Sequence, residues 1–366
     1  MEYIITQYFY PISKQDIKPF WNGMYFDNPR NSDEINKIAS LLKRINFEDE
    51  RPFPEEEHQV GKDYITLRYL INTFFENNQD KPVCKEFYNK HGKEKNIYKV
   101  LAKMWIIVRF PITRSNKITE NDYYSSYNQT LSHLHFLDFM CNSEGHVPTS
   151  IVLDTKKIGN FHIIIPSMIV ISSIKQSNRS NSSYPICTFD KIQTYYDNLV
   201  NKVGEKYLTK KFQYICDTLK NASELYFTNE RMYNVSLCSL IELLVAHKPD
   251  NNRYNIEESI SKQFVNKLRF ILYSRKSIDD IDFLTKELKL AYSVRSDIAH
   301  GNFDSIDNSL SKLYKLYGYD KEESFFGPYA IEDALEALNS HLIQYIRELL
   351  FYYIEDENGL SMIKDI

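Results

Sequence analysis

Arg295 and His300 are the residues whose types and spacing best suit a reaction. An imidazole titrates near neutrality, so it can take a proton from a ribose 2′-hydroxyl or give one to a leaving oxygen. A guanidinium can grip phosphate oxygens at two points and stabilise the charge that builds on a phosphorane. Together they suit RNA cleavage by 2′-hydroxyl attack without a metal ion, leaving a 2′,3′-cyclic phosphate and a 5′-hydroxyl. Five positions separate them, which in a continuous helix is about 140° of rotation and roughly 7.5 Å of rise. Such a pair does not share a helix face. Either the helix ends or bends between them, for which the following Gly301 is a suitable residue, or a second subunit completes the site. On spacing alone, a structural histidine at the negative end of a helix dipole explains the pattern as well.

The elements that must position this pair lie in the C-terminal half, where apolar residues recur at helical spacing. A long segment runs from about Asp190 to Tyr226, with Ile192, Tyr195, Leu199, Val203 and Ile215 in phase. A second runs from Glu230 to His247, stopped by Pro249 and Asp250, and a third from Ile256 to Tyr273. The fourth, Ile278 to about Ala299, carries Ile281, Leu284, Leu288, Ala291 and Tyr292 on one face. Ser277 with Asp279 and Asp280 suits its start, because negative charge favours a helix N-terminus. A short stretch at Asp307–Leu316 and a last helix at Ala330–Tyr353 complete a set that can share one bundle core.

The N-terminal half reads differently. Tyr3–Tyr10, Trp105–Phe110 and Phe161–Ile165 are β-branched and aromatic runs ended by Pro11, Pro111 and Pro166. Asn31–Ile45 has the period of a helix, with Asn31 or Ser32 as its cap. Tyr64–Phe75 is apolar in a way that period alone does not assign. Ser172–Ser183 is polar and reads as a linker. The expected architecture is therefore α+β over residues 1–185, followed by an all-α bundle over 186–366, mainly α overall.

The string Tyr292-Ser293-Val294-Arg295-Ser296-Asp297-Ile298-Ala299-His300-Gly301 resembles the R-x4-6-H motif of HEPN domains, and the ApeA-like group of that family in particular. Leu240-Ile241-Glu242-Leu243-Leu244, about fifty residues upstream, resembles the L-E-x-L helix that precedes the motif there. The likeness covers roughly residues 190–355 and says nothing of the N-terminal half. It implies a helical bundle that pairs with a second copy, bringing two motifs into one cleft. It implies a cytoplasmic endoribonuclease of a toxin-like, abortive-infection or other anti-phage system, acting on RNA, transfer RNA among the candidates. Arg295 and His300 would be catalytic, Glu242 would orient Arg295, Tyr292 would line the cleft, and Ser296 and Asp297 would support it. The alternative is a non-catalytic module that binds nucleotide, RNA or a partner protein. In the nuclease reading, the two-part organisation makes the N-terminal half the place for a trigger or inhibitor.

Other features carry less. A net charge of −4 argues against coating nucleic acid through bulk charge. Five cysteines without a C-x-x-C favour neither a disulfide framework nor a zinc site. No cofactor or metal is expected. His133 and His135 would share a face on a strand, with Asp138 nearby, but no third ligand pattern follows. Lys202, Lys206, Lys210 and Lys211 form either a phosphate-contacting stripe or a solvated helix face. No P-loop, dinucleotide or serine-hydrolase motif occurs. The start of the chain lacks a basic leader, and Phe161–Ile174 is too short and polar to span a bilayer, so a cytoplasmic protein is expected.

Overall fold

A computed structural model describes residues 2–45, 58–60, 63–65, 67–112, 120–141, 189–226, 228–247, 259–275, 280–319 and 330–365. The chain is mainly helical, with a small α+β region at its N-terminal end. It divides into two compact units. The first takes in the described residues up to Leu134 and again up to Val200; the second begins at His135 and resumes at Asn201. The cut that the sequence suggests near residue 185 lies outside the described residues. The strand expected at Phe161–Ile165 and the polar linker lie outside the described residues.

In the first unit, β1 (Glu2–Phe9) and β2 (Tyr25–Asp27) flank the central β5 (Trp105–Phe110) in an antiparallel sheet of order β1-β5-β2. Ile4 and Phe26 both pair with Val108. All six residues of β5 are buried, as an apolar run covered on both faces should be. A separate two-stranded ribbon joins β3 (His58–Val60) to β4 (Asp63–Ile65). The ambiguous stretch at Tyr64–Phe75 thus holds the end of a strand and most of α2 (Leu67–Asn77). Helix α1 (Ser32–Ile45) starts as expected, with Asn31 Oδ1 accepting the Glu34 amide proton at 2.8 Å. Helices α3 (Pro82–His91) and α4 (Ile97–Met104) follow, and α4 runs straight into β5. Asn28 ties the sheet's edge, its amide donating to the Tyr10 and Trp105 carbonyls.

Arg109 is the charged exception on β5. It donates to Asp27 of β2 at 2.7 Å and to both oxygens of Glu34 of α1 at 3.0 and 2.9 Å. Burial opposes ionisation of Glu34, but the bonds and charge of Arg109 outweigh it and hold the carboxyl below its ordinary value. A depressed carboxylate contributes stability above its unfolded value of about 4.3, and loses it as pH falls through the folded value. Glu34→Gln is therefore expected to flatten the loss of stability on acidification. Urea unfolding across the acid range checks this, and identical pH profiles would refute it.

Helix α5 (Glu120–Cys141) carries His133 and His135. On a helix they point about 200° apart, so the shared face that a strand would give does not exist. His133 meets the Trp21 ring edge-on in the first unit, and His135 Nδ1 lies 3.1 Å from Ser223 Oγ in the second. The second unit continues from α6 (Phe189–Val203), whose last residues belong to it. The long segment expected from Asp190 to Tyr226 is broken by a 3-10 turn at Gly204–Leu208, where Gly204 takes φ +54°, before α7 (Lys210–Tyr226). Then come α8 (Glu230–Val245), α9 (Ile260–Ser274), α10 (Ile281–His300), α11 (Phe303–Leu316), α12 (Ala330–Glu355) and α13 (Glu357–Asp365).

Helix α8 packs against α7, α9, α10, α12 and α13, so its buried Leu237, Leu240, Ile241 and Leu244 form the centre of the bundle. The lysine series resolves into neither expected role as a whole. Lys206 Nζ donates to the Tyr353 and Ile354 carbonyls at the C-terminus of α12, where positive charge suits the dipole. Lys202 and Lys211 pair with Glu355 and Glu357. Among the described residues no helix is long and apolar enough to cross a membrane.

Candidate active site

Helix α10 sets the geometry. Asp280 caps its start by accepting the Phe283 amide proton at 2.8 Å; the Ser277 and Asp279 proposed for this end lie outside the described residues. Leu284, Leu288 and Ala291 of the expected stripe are buried, with Val294 beside them, while Ile281 and Tyr292 are half-buried. The helix is unbroken to His300. Gly301 then turns left-handed (φ +71°), its amide bonding to Ile298 O and that of Asn302 to Asp297 O. This paired closure satisfies the carbonyls of the last turn. The helix therefore neither ends nor bends between Arg295 and His300, and a single copy presents them about 140° apart. Gly301 ends the helix one residue too late to bring them together.

Arg295 is held from α8. Its Nη2 donates to Glu242 Oε2 at 3.1 Å, and both side chains are mostly covered. Tyr292, one turn earlier on α10, places its ring 5.8 Å from the guanidinium carbon and packs against Phe264 of α9. Glu242 and Tyr292 thus stand with Arg295. Ser296 and Asp297 are half-buried on the turns beyond. Asp297 is about 200° around the helix from Arg295; the ion pair of Arg295 is with Glu242. His300 is exposed, the last helical residue, with no hydrogen bond or ion pair among the described residues.

The ion pair is a one-point contact. Arg295 Nε and Glu242 Oε1 are buried without partners. Burial pushes the Glu242 carboxyl above its ordinary value even though Arg295 pulls the other way. Burial also raises the Tyr292 phenol, and the Glu242 charge adds to that. Cys238, one turn before Glu242, is fully buried, and its thiol is pushed up by burial and by the same carboxylate. This thiol is therefore held protonated and unreactive.

No family model matches the chain, and neither a curated protein nor a solved structure matches it.

Neither Cys238 nor Phe264 is singled out by the sequence. Cys238 is one helical turn from Glu242 and so on the same face, a signal available once Glu242 is suspected. Phe264 offers nothing beyond helical periodicity. Among the described residues, no group of three His, Cys, Asp or Glu side chains has the arrangement to hold a metal ion.

Proposed function

We propose that the chain is a metal-independent endoribonuclease of the HEPN type, working as a homodimer in a toxin-like or anti-phage system. The observation that carries this reading is the contrast between the two motif residues. Arg295 is anchored by Glu242 in a half-buried position, whereas His300 stands unpartnered and exposed at the end of the same helix. An anchored guanidinium suits charge stabilisation, and a free imidazole suits proton transfer.

One phosphate needs an Arg295 from one copy and a His300 from the other, because one α10 turns them away from each other. The imidazole takes the 2′-hydroxyl proton as O2′ attacks phosphorus. The P–O5′ bond breaks, and the 5′-oxygen leaves with a proton from solvent water, the imidazolium returning its own proton to solvent afterwards. The guanidinium bonds to the non-bridging oxygens as their charge rises. The first unit, in this proposal, holds the trigger or inhibitor that governs the nuclease.

The test is incubation of wild-type and Arg295→Ala protein with total RNA and with transfer RNA in EDTA, followed by end mapping. Wild-type cleavage leaving 2′,3′-cyclic phosphates, absent in the variant, is expected. Cleavage that requires added magnesium, or that survives Arg295→Ala, would refute the reading.

Glu242→Gln separates stability from activity. A raised carboxyl means that the folded state resists ionisation of Glu242, and that this cost is present once pH rises above the folded value. Removing the charge is expected to leave the melting temperature unchanged or higher. Cleavage is expected to fall by on the order of tenfold, as Arg295 loses its charged anchor. A clear drop in melting temperature would show that the ion pair is chiefly structural.

A further inference from the structure

We propose that a cleft in the first unit, between the 3-10 turn Lys14–Asp16, β2 and the start of α1, binds a small organic phosphate. The cleft measures about 610 Å³, within the range of small-molecule sites and larger than a bare oxyanion needs. Its floor is the Arg109 network, set on the central strand of the sheet. Both acids of that floor are already engaged. Asp27 accepts from Arg30 through Oδ1 at 2.6 Å and from Arg109 through Oδ2 at 2.7 Å. Glu34 accepts two bonds from Arg109 and one from the Arg30 amide at 3.3 Å. A cationic ligand would have to displace an arginine to reach a carboxylate.

The donors, by contrast, are in surplus. Two arginines balance two carboxylates, and Lys14 at the rim adds a further positive charge with no ion pair among the described residues. Arg30, though paired with Asp27 through Nε and Nη2, has a side chain 31% exposed. Asn31 uses its carbonyl oxygen to cap α1, and its side chain also hydrogen-bonds the Glu34 carboxylate, so it belongs to the floor and not to the surplus. Such a set recognises an acceptor-rich anion. Ile17 and Tyr25 add an apolar wall, which fits an organic body beside the phosphate. Arg109 is positioned by a strand, and Arg30 is tied to it through their shared partner Asp27. This assignment goes beyond the nuclease reading, and neither depends on the other.

The test is calorimetric titration of the full chain at constant ionic strength with adenosine monophosphate, glucose 6-phosphate and inorganic phosphate, repeated with Lys14→Glu. Lys14 is exposed, with no ion pair among the described residues, so this variant is expected to fold normally. Saturable binding of at least one organic phosphate is expected, tighter than inorganic phosphate and weakened about tenfold or more by the charge reversal. No saturable binding of any of the three, or binding unaffected by Lys14→Glu, would overturn the site. Equal affinity for inorganic and organic phosphate would overturn the role of the apolar wall. None of these outcomes bears on cleavage by Arg295 and His300.

Discussion

His300→Ala is expected to lower RNA cleavage by on the order of 10²–10⁴-fold, the usual contribution of a positioned acid–base group. Stability should change little, by less than about 0.5 kcal/mol, because an exposed side chain without partners is removed. A further result follows from the geometry of α10. Arg295→Ala and His300→Ala proteins, each inactive alone, should regain activity when unfolded and refolded together. In a mixed dimer one site lacks both groups and the other keeps both, so random assortment gives about a quarter of wild-type activity. No recovery from mixed dimers verified by mass would mean that Arg295 and His300 act from the same copy, or not at all. Normal cleavage by His300→Ala would remove the imidazole from the mechanism altogether.

The second large effect is on folding. Glu287 lies on the buried side of α10 and is fully enclosed. Oε1 accepts from Tyr317 at 2.7 Å and pairs with His341 Nδ1 at 2.6 Å; Oε2 accepts from Tyr345 at 2.5 Å. Burial and the Glu287 charge push both phenols well above their ordinary values, so they remain donors. Glu287→Leu would leave the buried Tyr345 hydroxyl and the part-buried Tyr317 and His341 donors without their acceptor. Removing one member of such a buried set costs about 3–5 kcal/mol, a large share of the roughly 5–15 kcal/mol that holds a domain together. Glu287→Gln, which keeps an acceptor and the shape, should lose much less. Urea unfolding of both variants checks this, and a loss under about 1 kcal/mol in Glu287→Leu would show that the network adds little.

Much of this architecture is legible in the residues, and the gaps have physical causes. The α1 cap was readable because Asn31 stands just before Ile35 and Ile38 at helical spacing, and Asn favours that position for its own short-range bonding. The core face of α10 was readable for the same reason. Helix α5 was not, since Thr130–Leu137 is buried all round and leaves no polar face to give a period. The break at Gly204 is masked in the sequence because apolar residues keep their phase across it.

At the site, Arg295 and His300 stand out by type, but Glu242 is tied to Arg295 only by a likeness, since 53 residues separate them. The Glu287 network has no local signature in the sequence because its partners are 30, 54 and 58 residues away. One clue was present: Glu287 falls within the stripe of Leu284, Leu288 and Ala291, where an acid needs partners.

That network has a consequence for the far end of α10. Glu287 is eight residues before Arg295 and thirteen before His300, about 12 and 20 Å along the axis. Bonds to the Tyr317 segment and to α12 fix the azimuth of the helix at this point, like a key in a shaft. A 20-residue helix keyed in this way does not spin or slide freely. Arg295 and His300 therefore inherit their bearings from a cluster that touches neither of them. The orientational entropy of the two groups is surrendered during folding, not when RNA arrives.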